Sequence, residues 1–237
     1  MVQKIIDFIF PPKCMMCGKL LERGKVFLTC ADCAGKTPIN RGRRCKVCST
    51  PLESVYGQEI CHNCRKTKRY FEKACTPFIY EGGVKTAIKG LKFRSKNVYA
   101  APLAAFMFTA VKQCDMLDSI DVITYVPIHC NRLGERGYNQ SQLLAESISE
   151  FSGVPVYELL KKTVDTKPLS ILRTNKRAEL VKGVFALCEN EDISGKNILL
   201  IDDIITTGST ANECAKILRR GGAASVRVAA VASTRGW

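Results

Sequence analysis

Eight cysteines near the start of the chain stand in four C-x-x-C pairs, and these pairs form two copies of one unit. The first unit runs from Cys14 to Cys33 and the second from Cys45 to Cys64, with each cysteine of the first recurring 31 positions later. One C-x-x-C turn places two sulfurs beside a single ion, and two turns about a dozen residues apart complete a tetrahedral set. The spacing therefore predicts a duplicated zinc ribbon.

Each unit holds a full ligand set, which favours two structural zinc ions, one per unit; interleaved pairing is the alternative. Four thiolates leave no position for water, so we expect no catalysis at these sites. So small a module buries little apolar core and depends on its metal to fold, and free thiols indicate a reducing cytoplasm. The predicted ligands are Cys14, Cys17, Cys30 and Cys33, then Cys45, Cys48, Cys61 and Cys64.

Positive charge is concentrated in the front part of the chain. Residues 1–100 hold 20 of the 36 Lys and Arg but 7 of the 22 Asp and Glu, a net charge of +13 against +1 for the remainder. A solvated basic face is one interpretation, and a polyanion-binding surface is the other. Basic residues flank Tyr70 and Phe71, a combination that suits contact with phosphates and stacking on bases, although a linker would also explain it.

The pattern changes after residue 70, so we predict a module over 1–70 and an α/β domain over 71–237. Apolar strands alternate with amphipathic helices, an order that predicts a parallel sheet flanked by helices, with ligands at the carboxyl ends of its strands. No stretch approaches the roughly 18–20 apolar residues of a membrane span, and residues 1–13 suggest a short amphipathic helix rather than a secretory signal. The predicted strands cover 121–128, 196–202 and 224–233, and the helices cover 98–114, 141–153 and 209–222.

The stretch "ILLIDDIITTGST" (198–210) combines a buried strand, two carboxylates and a hydroxyl-rich turn before a helix. Free amides at a helix start favour a phosphate, and Gly208 lets the backbone come close to it. Asp202 and Asp203 suit sugar hydroxyls or a cation, so the stretch predicts a ribose 5-phosphate ligand. An ATPase would need an upstream G-x-x-x-x-G-K-[ST] motif, which the chain lacks. A strand–turn–helix that binds no ligand is the remaining alternative.

The same stretch resembles the phosphoribosyl-diphosphate (PRPP) signature of type I phosphoribosyltransferases. Residues 122–145 resemble the strand and diphosphate loop of that fold, and residues 162–185 resemble its catalytic loop. "IKGLKFRSK" (88–96) and the ribbons in front are similar to the ComF family of competence proteins, whose best-known members are needed for natural DNA uptake. The resemblance spans essentially the whole chain. It implies a type I phosphoribosyltransferase-like sheet preceded by a small four-cysteine double zinc-ribbon module.

The resemblance also implies roles for individual residues. Asp202 and Asp203 would bind the ribose 2- and 3-hydroxyls, and Arg132 and Arg136 would hold the diphosphate together with magnesium. The 5-phosphate cradle would consist of Thr206, Thr207, Gly208, Ser209 and Thr210. The basic residues that are candidates to close over the ligand are Lys161, Lys162, Arg173 and Arg177, of which Lys161 and Arg173 join the two aspartates as predicted catalytic groups. A solvated charged loop is the alternative for each of these four.

Three functions follow as expectations. The first is a cytoplasmic ComF-like protein that binds PRPP with magnesium, engages single-stranded DNA alongside other DNA-uptake proteins, and transfers phosphoribosyl to an unidentified acceptor. The second is a catalytically silent PRPP- or nucleotide-sensing regulator, and the third is a phosphoribosyltransferase of nucleotide metabolism. Some relatives carry the label amidophosphoribosyltransferase. This chain has no cysteine behind Met1 and no glutaminase-sized domain, so glutamine-dependent amination is not expected.

Overall fold

A computed structural model describes residues 11–22, 27–52, 57–93, 96–165, 181, 183–189 and 191–234. Most of the predicted N-terminal amphipathic helix lies outside these ranges. So do residues 166–180 of the predicted catalytic loop, including Arg173 and Arg177.

The chain folds around a five-stranded parallel sheet in the order β1-β7-β6-β3, with β2 also pairing with β7. Two further strands, β4 and β5, form a separate antiparallel pair. The prediction of a parallel sheet flanked by helices is therefore confirmed. The strands are β1 (Lys73–Cys75), β2 (Phe78–Ile79), β3 (Val122–Tyr125), β4 (Leu160–Lys162), β5 (Phe185–Leu187), β6 (Asn197–Ile205) and β7 (Ser225–Ser233).

Helices cover both faces of the sheet. Ile123, Leu199 and Ile201 point into one apolar cluster, and their strand neighbours Ile198 and Leu200 point into a second cluster on the opposite face. This alternation is the period-two geometry of a strand buried on both sides. The helices are α1 (Ala31–Gly35), α2 (His62–Lys66), α3 (Gly82–Phe93), α4 (Ala100–Gln113), α5 (Cys130–Arg136), α6 (Gln140–Ser152) and α7 (Ser209–Arg220), with a 3-10 turn at Asn97–Tyr99.

The central strand β6 is longer than predicted, and this changes the place of the carboxylates. The predicted strand stopped at residue 202, whereas β6 continues to Ile205 and Asp202 pairs with Ala230 of β7. The neighbouring strand β3 ends at Tyr125, opposite Ile201. The two aspartates therefore lie within β6 but just past the end of β3, where the sheet edge opens on that side.

The cysteine-rich module packs directly on the α/β part of the chain. Met15 and Met16 belong to the same apolar cluster as α3, α4 and α6. Met16 lies so close to Gly83 of α3 that a Cβ added at Gly83 would stand 2.7 Å from the Met16 Cβ. The predicted boundary at residue 70 stays a prediction. Across the part of the chain that the structure describes, no helix is long and apolar enough to cross a membrane.

Candidate ligand site and metal centres

Two adjacent carboxylates, Asp202 and Asp203, are buried near the carboxyl end of the inner strand β6. The carboxylate of Asp203 accepts a hydrogen bond from Lys92 of α3, with 2.8 Å between Nζ and Oδ2. Burial opposes ionisation of Asp203, but the Lys92 ammonium outweighs it and holds the pKa of Asp203 below its usual value. Burial, followed by the charge of Asp203, raises the pKa of Asp202 well above its usual value. The negative charge of the pair is therefore favoured on Asp203, beside Lys92, and a proton is favoured on Asp202.

The start of α6 contacts Asp202. Asn139 caps the helix, because its Oδ1 accepts a hydrogen bond from the Ser141 amide at 3.0 Å while its Nδ2 donates to the Val126 carbonyl at 3.0 Å. The Ser141 hydroxyl then lies 3.4 Å from Asp202 Oδ1, which also accepts the Asp203 amide at 2.8 Å. The capped helix thus directs a hydroxyl at Asp202.

A tight turn links β6 to the twelve-residue helix α7. Thr206 follows β6 directly, and Gly208 has a φ of 67°, a left-handed conformation that glycine adopts at little cost. The hydroxyls of Thr207 and Ser209 lie 2.8 Å apart. Thr210 belongs to the first turn of α7, whose leading amides have no partner within the helix. The predicted cradle over residues 206–210 therefore forms one continuous turn at a helix start.

Three cations lie on the side of the site formed by α5 and β4. Arg136 donates to Gln140 Oε1 at 3.2 Å, and burial, followed by the charge of Arg132, lowers its pKa. Burial and the same Arg132 charge lower the pKa of Lys162. Asp165 partly offsets this charge, because its carboxylate lies 4.0 Å from Arg132 Nε. A bound anion would offset the effect of the Arg132 charge on Arg136 and Lys162.

Lys161 has a different position from its neighbour Lys162. Its ammonium is exposed and lies 2.9 Å from Glu189 Oε1. Successive residues of a strand point to opposite faces, so β4 directs Lys162 toward the arginines and Lys161 away from them. The structure does not bring Lys161 together with Asp202 and Asp203, and its catalytic role stays a prediction.

The eight predicted metal ligands form two separate clusters. Within each cluster the sulfurs all lie within 4.8 Å of one another, and the members are grouped sequentially rather than interleaved: Cys14, Cys17, Cys30 and Cys33, then Cys45, Cys48, Cys61 and Cys64. The Cys17–Cys30 and Cys48–Cys61 sulfurs are 3.7 and 3.6 Å apart. Two sulfurs about 2.3 Å from one tetrahedral zinc would be about 3.8 Å apart, so both clusters fit structural zinc.

Comparison with known proteins matches both halves of this architecture. Residues 5–76 match the double zinc ribbon domain, and residues 147–236 match the phosphoribosyl transferase domain. Competence protein F of Haemophilus influenzae is 27% identical over 215 residues, covering 84% of this chain and 94% of its own. Competence protein ComFC of Bacillus subtilis is 28% identical over 205 residues, which cover 83% of this chain and 80% of that protein. The chain is homologous to these competence proteins and carries both a double zinc ribbon and a phosphoribosyl transferase domain.

A third relative is the DNA utilization protein YhgH of Escherichia coli, which is 28% identical over 222 residues, covering 92% of this chain and 95% of its own. Among solved structures, the purine phosphoribosyltransferase of Pyrococcus horikoshii matches with a TM-score of 0.36 and 16% identity, covering 55% of this chain and 72% of that one. The glutamine PRPP amidotransferase of B. subtilis matches with a TM-score of 0.39 and 21% identity, and the match covers 60% of this chain and 30% of that one.

Proposed function

We propose that this protein is a member of the ComF family and that it binds PRPP, with magnesium, at the carboxyl end of β6. The observation that carries the proposal is the arrangement of one strand, one turn and one helix start. The Asp202–Asp203 pair lies on β6. The Thr206–Thr210 turn, which supplies hydroxyls and the first amides of α7, follows directly after that strand. Carboxylates suit a diol and helix amides suit a phosphate, and PRPP presents both groups on one ribose.

The remaining groups of the site fit the other end of the same ligand. Arg132, Arg136 and Lys162 would bind the diphosphate, and a bound magnesium would neutralise part of its charge. Asp203, beside Lys92, would accept a hydrogen bond from one ribose hydroxyl, while Asp202, whose pKa is raised, would accept one or, when protonated, donate one. In the enzymatic form of the proposal these groups hold the ribose while diphosphate leaves and an acceptor attacks. In the alternative form they hold PRPP or a nucleotide as a regulatory signal.

Calorimetric titration of PRPP with magnesium into the zinc-loaded protein tests the proposal. Binding is expected for the wild type and for the control Asp118→Asn, which changes an exposed carboxylate. Binding should be lost in Asp202→Asn/Asp203→Asn. A folded wild type that does not bind PRPP would contradict the proposal. Diphosphate release in the presence of candidate acceptors then separates the enzyme from the regulator.

We further propose that the protein engages single-stranded DNA in the cytoplasm, as part of DNA uptake with other proteins. The supporting observation is a groove of about 560 Å³ between the segment 68–72 and the end of α7. Four cations and two aromatic rings line it, with one carboxylate: Lys68, Arg69, Tyr70, Phe71, Glu72, Arg219 and Arg220. Tyr70 is partly exposed and Phe71 is buried, so the groove offers one ring for stacking beside its cations, a combination typical of single-strand binding.

Anisotropy of a labelled oligothymidine at several salt concentrations tests this second proposal. Arg219→Gln/Arg220→Gln should weaken binding and reduce the salt slope by about 0.7 for each phosphate contact that is lost. Lys216→Gln is the matched control, because Lys216 belongs to the same helix but pairs with Glu213 and does not line the groove. Equal affinities for the wild type and the double variant would contradict the assignment of the groove.

A further inference from the structure

A pair of thiols lies apart from the zinc ligands and from the candidate ligand site. Cys75 is the last residue of β1, and Cys114 follows the last residue of α4. Their sulfurs are 3.1 Å apart although the residues are 39 positions apart in the chain. Cys75 is fully buried and Cys114 is partly exposed. The fold thus brings a partly exposed cysteine into contact with a buried one.

Positive charge surrounds the accessible member of the pair. Lys73 donates its ammonium to the Cys114 carbonyl at 2.8 Å, and Arg44 of the second ribbon unit also faces the Cys114 sulfur. The hydrogen bond with Cys75, helped by Arg44 and Lys73 and opposed by burial, lowers the pKa of Cys114 to about 6. The same hydrogen bond, together with burial, raises the pKa of Cys75, whose thiol also donates to the Ala110 carbonyl at 3.4 Å. The negative charge of the pair is therefore favoured on Cys114.

We propose that Cys75 and Cys114 form a reversible disulfide, with Cys114 as the sulfur that reacts with an oxidant and Cys75 as the sulfur that resolves it. A partly exposed thiolate beside cations is the reactive kind of cysteine, and a second thiol in contact with it is the usual arrangement for resolution. The sulfurs must approach each other by only about 1 Å to reach the 2.05 Å of a disulfide. This inference is independent of the proposed PRPP and DNA functions.

Hydrogen peroxide serves as the oxidant in a balanced scheme. The Cys114 thiolate attacks one peroxide oxygen, the O–O bond breaks, and hydroxide leaves and takes up a proton to form water. The Cys75 sulfur then attacks the sulfur of the Cys114 sulfenic acid, the S–O bond breaks, and a second water leaves with the Cys75 proton. The two thiols together lose two electrons, and one peroxide becomes two waters. A dithiol reductant reverses the reaction by thiol–disulfide exchange.

Oxidation would also alter the contact between the ribbon module and the sheet. In the reduced protein the charge of Arg44 faces the Cys114 thiolate. Forming the disulfide removes that negative charge and leaves Arg44 beside neutral sulfur. The site therefore links the oxidation state of the chain to the contact between its second zinc unit and β1.

Peptide mapping of the full-length, zinc-loaded protein tests the inference. The reduced protein is treated with about one equivalent of hydrogen peroxide, alkylated, and digested without reductant. Trypsin places Cys75 on the peptide 74–85 but leaves Cys114 and Cys130 together on 113–132, so a second cleavage before Asp115 separates those two. We expect a linked Cys75–Cys114 peptide that a dithiol reductant releases, at a peroxide dose that leaves both zinc ions bound.

Variants distinguish the two roles within the pair. In Cys75→Ser, a sulfenic-acid probe should label Cys114, and in Cys114→Ser the linked peptide should disappear without labelling of Cys75. Cys188, a partly exposed thiol of the same domain, is the control and should stay reduced. The inference is overturned if Cys75 and Cys114 both remain alkylatable at doses that already release zinc. It is also overturned if Cys114 links to Cys130 in place of Cys75.

Discussion

Replacing Lys92 by methionine should destabilise the fold more than any other single change of a lysine on α3. The side chain of Asp203 is 6% exposed and that of Lys92 is 27% exposed, so the substitution removes the closest cation from a buried carboxylate. Loss of one partner of a buried ion pair costs about 3–5 kcal/mol. Water reaches Lys92 in part, which places the expected loss near ~3 kcal/mol. In a chain of this size that loss lowers Tm by about 6–12 °C.

The effect of Lys92→Met should depend on pH in a defined direction. In the wild type the pKa of Asp203 is lowered, so the stability it contributes is present above its unfolded pKa and is lost as the pH falls through the folded value. Without Lys92, burial would raise the pKa of Asp203, and the variant would lose stability as the pH rises above about 4. The difference in Tm between variant and wild type should therefore be larger at pH 7.5 than at pH 4.5.

Thermal denaturation of zinc-saturated protein, followed by circular dichroism at both pH values, measures these differences. Lys89→Met is the matched control, since Lys89 is exposed on the same helix and its replacement should change stability by no more than about 0.5 kcal/mol. Lys92→Met/Asp203→Asn should recover much of the loss, because the buried carboxylate is then neutral. Equal losses in Lys92→Met and Lys89→Met, or a loss that does not vary with pH, would refute the ion-pair reasoning.

Three further predictions concern the carboxylates, the packing of the ribbons and the metal. Asp202→Asn should raise Tm relative to the wild type more at pH 8 than at pH 5, because the raised pKa of Asp202 makes its ionisation destabilising as the pH rises; a constant difference in Tm would argue against this. Gly83→Ala should cost about 1–3 kcal/mol through the Met16 contact, whereas Gly134→Ala, with no atom within 4 Å of its added Cβ, should be neutral or stabilising by about 0.5–1 kcal/mol in the same melts. Elemental analysis should find two zinc ions per chain, and chelation should lower Tm; a stable metal-free protein would contradict the structural role.

Features set by short spacings in the chain were predictable from the sequence. The cysteine clusters and the strand–turn–helix around Gly208 are such features, because a C-x-x-C turn and a helix start are local structures. The strand end was predicted three residues too early. The apolar run is interrupted at Asp202, whereas β6 carries the two buried carboxylates and continues through Ile204 and Ile205, which pair with Ala232 and Ser233 of β7.

Contacts between distant parts of the chain were not predictable in the same way. Lys92 pairs with a residue 111 positions away, and Ser141 contacts one 61 positions away. The sequence carried one signal for the Lys92 contact. Lys92 lies four residues after the buried Ile88, so it belongs to the core-facing side of α3. Choosing between Lys161 and Lys162 requires knowing on which face of β4 each side chain lies, and that depends on the pairing of β4 with β5.

A crystal structure of the protein with PRPP and magnesium would test the central claim most directly. We expect the 5-phosphate of the ligand to contact the amides of residues 207–210. We expect its ribose hydroxyls to lie within hydrogen-bond distance of Asp202 or Asp203. We also expect the diphosphate to lie beside Arg132 and Arg136. Ligand found only in the basic groove at Arg219 and Arg220, or a 5-phosphate held elsewhere while the turn stays empty at saturating PRPP, would contradict the account.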